Sequence, residues 1–328
     1  MNKMDFIQDE KLLLIKNLKT YFYMSQGFVR AVDGVSLTIL KQKVVGLVGE
    51  SGCGKSTTAL SIMRLLPSPP SKIIDGEIFY KGNDLLILSN KELRKIRGRE
   101  ISMVFQDPLT FLNPVFKVGN QIRETIMEHH PDKKSEINKK VLKLLECVGI
   151  ADPLEVMEYY PHQLSGGMRQ RIIIAIALSC NPSLVIMDEP TTSLDVTIQR
   201  QILELIKDLI EEFKMSIMLI THDLGIIAEI CDFVYIMYAG RIVEHASVYT
   251  IFENAKHPYT IGMLKSALSI DEHKKELVGI DGNVPDMMNL PSGCKFHPRC
   301  IFTKDICIKE EPPLREFELG HYLRCWLK

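Results

Sequence analysis

The chain has 328 residues, 46% of them apolar, with Lys+Arg 40 against Asp+Glu 41 and a formal net charge of -1. That length holds one large domain with an appendage, or two domains, and the balanced charge offers no overall basic field for nucleic acid. No stretch approaches the ~18–20 unbroken apolar residues of a membrane span.

The opening "MNKMDFIQDEK" has no apolar core of the kind a signal peptide needs, so a cytoplasmic chain is expected. In that compartment eight cysteines are not expected to pair as structural disulfides. Next comes "TYFYMSQG", with Tyr21, Phe22 and Tyr23 in a row.

"VVGLVGESGCGKSTTALSIMRLL" reads as a β-branched strand, a glycine-rich turn and an amphipathic helix. Gly49, Glu50, Ser51, Gly52, Cys53, Gly54, Lys55 and Ser56, followed by Thr57, fit the G-x-x-x-x-G-K-[ST] phosphate loop. Four fixed positions match by chance in roughly one chain per hundred of this size. The strand–turn–helix context therefore carries the reading. Glycines let the backbone wrap phosphate oxygens with its N–H groups pointing inward, at the positive end of the helix. Lys55 would reach the β- and γ-phosphates, and the Ser56 hydroxyl would ligate Mg²⁺. The Cys53 thiol, at a variable position of the loop, is expected to be open to oxidation or alkylation without being catalytic.

"ISMVFQDP" follows an apolar strand with Gln106, which alone is only a strand-end amide. "INKKVLKLLECVGI" has helical spacing. In "LSGGMRQR", Ser165, Gly166 and Gly167 open a helix that continues Ile-Ile-Ile-Ala-Ile-Ala. Such a start leaves the first N–H groups uncovered, which suits an anion better than it suits stability. "PSLVIMDEP" reads as a buried parallel strand delivering Asp188 to the sheet edge, where α/β proteins bind ligands. Asp188 would hold the metal, and Glu189 could polarise a water for attack on the γ-phosphate. "MSIMLITHD" brings His222 to the same kind of edge, although a lone histidine is more often a satisfied surface or core group.

Cys294, Cys300, Cys307 and Cys325 crowd the last 35 residues with spacing C-x5-C-x6-C-x17-C. Four thiols so close in a reducing compartment read as a metal or cluster site. The tight C-x2–4-C knuckle of structural zinc is absent, and the wider spacing suits a four-thiolate cubane. Zinc, with His297 or His321 substituting for a thiolate, and unliganded buried thiols both stay open.

Taken together, "GESGCGKS", "VFQDP", "LSGGMRQR", "LVIMDEP", "SLD" and "ITHD" resemble the ATP-binding cassette of ABC transporters over about residues 11–255. Met168 stands where the family's LSGGQ signature has glutamine. The resemblance implies an α/β P-loop ABC nucleotide-binding domain over residues 1–255. This has a RecA-like core, an antiparallel β-subdomain and a helical subdomain at about 107–180. ATP and Mg²⁺ are the implied cofactors. Gln106 would touch Mg²⁺ and sense the membrane partner, and Glu189 would be the catalytic carboxylate. His222 would contact the γ-phosphate, and Asp195 would act across a cassette dimer. Ser165, Gly166 and Gly167 would close over the γ-phosphate held by a partner cassette, which accounts for their exposed helix start. An N-terminal aromatic stacks on adenine in the family, and the spacing from "NLKT" favours Phe22 over Tyr21 or Tyr23.

From 256 to 328, "HPYT" at 257–260 and "GCKFHPRC" at 293–300 resemble the C-terminal extension of dipeptide/oligopeptide importer ATPases. Some members hold a [4Fe–4S] cluster at such cysteines, and the tail is expected to form a core separate from the cassette. The resemblance implies an ATPase at the cytoplasmic face of the membrane. Its partners would be a second, different cassette in a heterodimer, two transmembrane permeases and an extracytoplasmic substrate-binding protein. The same cassette type also serves importers of nickel or glutathione. A soluble ABC ATPase acting on nucleic acid is the alternative from another class. Against it stand the missing coiled-coil insertion, the single cassette and the near-zero charge.

Overall fold

The computed structural model describes residues 10–130, 134–192, 194–271 and 280–327. Ser193 of the "SLD" stretch lies outside the described residues. The chain forms two compact units, one of Met1–Ile39, Val44–Leu86 and Leu219–Lys328, the other of Leu40–Lys43 and Ile87–Met218. It passes from the second back to the first within the strand Ser216–Thr221.

The first unit contains a four-stranded antiparallel sheet in the order Gly27–Leu40, Lys11–Met24, Ser71–Tyr80, Asn83–Asp84. Alternation buries Leu13 and Ile15 against the core, with Leu13 opposite Tyr80 and Ile15 opposite Ile78. A second set of strands runs Arg315–Glu318, His321–Leu323, Arg241–Ser247, Phe233–Tyr238, Val44–Val48. Val44–Val48 is buried at every position and pairs in parallel with Phe233–Tyr238, Val45 opposite Phe233 and Val48 opposite Ile236. A continuous apolar run is what a strand covered on both faces requires. The helix Lys55–Ile62 follows that strand, and Ser61 Oγ lies 2.9 Å from Thr20 Oγ1, tying the helix to the antiparallel sheet.

The tail is not a separate core. His321–Leu323 adds to the edge of the same sheet, with Glu244 opposite Leu323 and His245 opposite Tyr322. Behind this seam lies a buried carboxylate. Glu244, 0% exposed, accepts from the Lys256 amide (2.6 Å), the His257 amide (3.1 Å) and His321 Nε2 (2.8 Å). His257 Nδ1 in turn accepts from the Tyr259 amide at 3.1 Å, fixing the start of the helix Pro258–Asp271. Removing the carboxylate strands three buried donors, each costing about 1–3 kcal/mol when left unsatisfied, so Glu244→Ala is expected to cost about 3 kcal/mol or more. Urea denaturation of the full chain reads this directly. A loss under about 1 kcal/mol would place the contact with ordinary exposed pairs.

The second unit carries the parallel pair Ile101–Val104 and Leu184–Asp188, both fully buried, in register from Ile101 opposite Leu184 to Val104 opposite Met187. Its helices Val118–His129, Lys134–Cys147 and Val196–Phe213 bury stripes at three- and four-residue spacing, while Gly166–Leu178 is buried at nearly every position from Gln170 on. Val118, Ile122 and Ile126 form one stripe, and Ile137, Val141, Leu144 and Leu145 another. Val196–Phe213 buries Ile202, Leu205, Ile206 and Leu209.

Candidate functional site

The phosphate loop is built tightly onto its own unit. A Cβ on Gly49 would stand 2.1 Å from the Met237 carbonyl oxygen. One on Gly54, whose φ is +109°, would stand 2.0 Å from the Ala31 carbonyl oxygen. No side chain fits at either position, so the fold itself demands these two glycines. Lys55, buried, donates from Nζ to the carbonyls of Gly49 (2.8 Å) and Glu50 (3.2 Å). Phosphate oxygens would offer it charged acceptors, which make roughly twice as strong a hydrogen bond as neutral ones. Ser56 and Thr57 are half-buried in the first turn of the helix, while Ser51 and Gly52 are exposed.

Cys53 corrects an expectation. The thiol is 1% exposed, and burial pushes its pKa up to about 11, so it is shielded from alkylation and oxidation at neutral pH.

The structure separates the three N-terminal rings. Tyr21 stacks on Phe28 at 5.6 Å, and its hydroxyl donates to Asp33 Oδ1 at 2.8 Å. Tyr23 also meets Phe28, at 6.3 Å. Strand alternation therefore puts Phe22, half-buried, on the opposite face from both.

His222 is exposed just after its strand, and Asp223 caps the next helix by accepting from the Gly225 amide at 2.7 Å. Glu50 of the phosphate loop and His222 line one cavity of about 700 Å³, together with Phe252, Met263 and Ile280.

In the second unit, the strand Leu184–Asp188 buries Asp188 and delivers Glu189 with φ +47°. A left-handed conformation at a residue other than glycine costs about 1–3 kcal/mol and persists where surrounding contacts enforce it. Its carboxylate is held as well: Glu189 Oε2 accepts from Gln106 Nε2 at 3.1 Å and from Thr192 Oγ1 at 2.9 Å. Gln106 and Glu189 are 83 residues apart in sequence, and the parallel pairing of their strands brings them together. Sequence reasoning missed Thr192, which stands three residues after the glutamate in "DEPTT" and had no separate signal.

The signature helix Gly166–Leu178 does have a cap: Ser165 Oγ accepts from the Met168 amide at 3.2 Å. The hydroxyl keeps its proton to donate, and Ser165 and Gly166 are exposed. The two glycines differ. A Cβ on Gly167 would meet Ile198 Cγ2 at 2.8 Å, so packing within the chain already accounts for it. At Gly166 the nearest atom is Leu194 Cδ2 at 3.6 Å, which leaves room for a side chain. Asp195 caps the helix Val196–Phe213, accepting from the Ile198 amide at 3.0 Å, a local role that "SLDVT" could have signalled.

In the tail, Cys307 and Cys325 are buried and Cys294 and Cys300 half-buried. The Cys294 amide donates to the Cys307 carbonyl at 2.8 Å. Burial pushes the Cys294 thiol up to about 12, and the charges of Glu311, Cys325 and Cys307 push the same way. Burial also raises the Cys325 thiol, with Cys300 and Cys307 adding to the rise. Among the described residues no three His, Cys, Asp or Glu side chains are gathered as a metal-ion site. His321 is engaged with Glu244, and His297 Nδ1 lies 3.0 Å from the Cys294 carbonyl. His321, one of the two histidines left open as zinc ligands, thus has its Nε2 in a structural pairing.

A family profile described as "ABC transporter" matches residues 32–192, and one described as "Oligopeptide/dipeptide transporter, C-terminal region" matches residues 243–307. The chain is 50% identical over 316 residues, 96% of each protein, to the oligopeptide transport ATP-binding protein AppD of Bacillus subtilis. It is 48% identical over 319 residues, 97% of this chain and 95% of the relative, to the dipeptide transport ATP-binding protein DppD of the same organism. The chain belongs to the ABC transporter ATP-binding family, oligopeptide/dipeptide type. The cassette fold agrees with solved structures. A dimeric ATP-binding cassette in a post-hydrolysis state bound to ADP and Pi superposes with TM-score 0.64 at 28% identity, covering 72% of this chain and 98% of that one. The cbiO1 cassette of Clostridium perfringens, part of the ABC transporter complex cbiONQ, gives TM-score 0.64 at 27% identity over 75% and 92%. The cassette is thus a P-loop ATPase, and the sequence expectations of family, fold and ATP chemistry stand.

Proposed function

We propose that this chain hydrolyses ATP to drive import of dipeptides or oligopeptides through separate membrane subunits. The observation that carries the catalytic part is the held Glu189, strained at its backbone and gripped at its carboxylate by Gln106 and Thr192. Glu189 takes a proton from the attacking water as the water oxygen bonds to the γ-phosphorus and the bond to the β-phosphate oxygen breaks. Lys55 holds the β/γ-phosphates, His222 contacts the γ-phosphate and Phe22 stacks on adenine, its ring free of the Asp33 and Phe28 contacts that occupy Tyr21. Gly49, Glu50, Ser51, Gly52, Cys53, Gly54, Ser56 and Thr57 complete the cradle. Ser56, Gln106 and Asp188 supply hard oxygen donors of the kind Mg²⁺ requires, and the ion would neutralise phosphate charge.

Ser165, Gly166 and Gly167 act on the ATP of a second cassette, and Asp195 lies at that junction. What supports the trans role is the unfilled space at Gly166, a glycine this chain's own packing does not require. We place the end of the nucleotide-binding domain near residue 255 and the helical subdomain at about 107–180. No helix among the described residues is long and apolar enough to cross a membrane. The chain would sit peripherally on the cytoplasmic face, docked on two permeases fed by a substrate-binding protein, with a different cassette as its partner. Exposed Phe111, Val115 and Phe116, shortly after Gln106, are fit for such a contact. Lys55→Ala is expected to weaken Mg-ATP binding at least a hundredfold, about 2.7 kcal/mol, measured with a fluorescent ATP analogue. Unchanged affinity would remove the phosphate-loop assignment.

The [4Fe–4S] reading of the tail rests on the spacing of Cys294, Cys300, Cys307 and Cys325 and on their soft donor chemistry. Anaerobically purified protein is expected to be brown, with roughly four irons per chain. Colourless protein with about one zinc, the single-ion stoichiometry, would replace the cluster by zinc, and four titratable thiols without metal would remove both.

A further inference from the structure

The second residue of the phosphate loop is held from outside the cassette motifs. The Glu50 amide donates to the Tyr259 hydroxyl at 2.9 Å. Arg299 then grips the Glu50 carboxylate with both arms of its fork, Nη1 to Oε2 at 2.7 Å and Nη2 to Oε1 at 3.1 Å. The two residues are 249 positions apart. Arg299 is itself fixed, donating from Nε to the Asp281 carbonyl (2.9 Å) and from Nη2 to the Ile280 carbonyl (3.2 Å). Its side chain is 6% exposed against 29% for Glu50. Beneath it Tyr238, Tyr259 and Phe296 pack together, with centroids 4.7 to 5.5 Å apart.

The backbone that places Arg299 belongs to the cysteine module. His297–Arg299 is a single tight turn whose ends are tied to Cys294 and Cys300: the His297 amide donates to the Cys294 carbonyl, and the Cys300 amide to the His297 carbonyl. Thr303 Oγ1 closes the turn by donating to the carbonyls of His297 and Cys300.

We propose that Arg299 is a positioning residue for the phosphate cradle, through which the cysteine module sets ATP affinity. The inference rests on the ATP-binding reading above. Two effects act together, and the charge effect is the larger. The fork fixes the Glu50 backbone, whose carbonyl accepts from Lys55 Nζ and from the Cys53 amide. It also neutralises a carboxylate standing on the loop that receives a polyanion, and without Arg299 that charge would repel the phosphates. Anything that reorders the turn between Cys294 and Cys300 reaches the nucleotide by this route.

The test uses the full chain and a fluorescent ATP analogue with Mg²⁺. Arg299→Ala is expected to weaken binding at least tenfold. Adding Glu50→Gln to it removes the stranded charge and should recover affinity to within about threefold of wild type, about 0.6 kcal/mol. A structural defect would not be repaired by a second substitution that restores no contact. Arg299→Ala with affinity within twofold of wild type, or a double variant as weak as the single, would overturn the proposal. Should Arg299→Ala fail to fold, Arg299→Lys, which keeps the charge and loses the fork, is read against its own Glu50→Gln double variant by the same criteria. Wild-type chain that binds no Mg-ATP would instead fail the ATP reading, with Lys55→Ala indistinguishable from it.

Discussion

Glu189→Gln is expected to stop ATP turnover while leaving ATP bound. The amide is the same size, so the contacts from Gln106 Nε2 and Thr192 Oγ1 to the Oε2 position survive in its carbonyl oxygen. The left-handed backbone at φ +47° is imposed by the loop, and glutamine meets it as glutamate does. Only the capacity to take a proton is lost. A positioned general base contributes about 10²–10⁴-fold, so turnover should drop by at least a hundredfold and trap an ATP-loaded cassette pair. Retention of more than a tenth of wild-type turnover, a barrier change under ~1.4 kcal/mol, would remove Glu189 as the base.

Gly166→Asp should leave nucleotide binding to the isolated chain within twofold of wild type and reduce turnover of the assembled importer at least a hundredfold, about 2.7 kcal/mol. The choice of Gly166 over Gly167 follows from the packing. A Cβ at Gly167 meets Ile198 Cγ2 at 2.8 Å, so Gly167→Asp would mix a local clash with any effect on a partner's phosphate. At Gly166 the contact is an ordinary 3.6 Å, and the new carboxylate faces outward from an exposed helix start. Its charge would oppose the partner's γ-phosphate. Equal turnover of mutant and wild-type complexes would end the trans assignment.

The local elements were legible because their signals are local. A buried parallel strand reads as "VVGLV", a helix start as "LSGG", and a strand-end acid pair as "MDE". The grip of Gln106 and Thr192 on Glu189 was not, because it depends on strand pairing between Ile101–Val104 and Leu184–Asp188. The tail was read least well. Its cysteines drew attention by count, while the residues that fix it to the fold, Glu244, His257, Tyr259 and Arg299, carry no periodic signal. "HPYT" and "GCKFHPRC" carried a resemblance without assigning roles to His257, Tyr259 or Arg299. Glu50 and Arg299 meet only in the folded unit, and a charge pair 249 residues apart has no mark in a single sequence. Cys53 misled because a phosphate loop suggests exposure, whereas its side chain turns beneath the loop.

The most direct measurement is labelled-peptide uptake by proteoliposomes holding this chain with its permeases and partner cassette, supplied with the binding protein. Uptake should require ATP, should disappear with Glu189→Gln, and should be accompanied by hydrolysis that rises when the binding protein carries peptide. Peptide-independent hydrolysis with no uptake, or uptake of nickel or glutathione in place of peptide, would contradict the account.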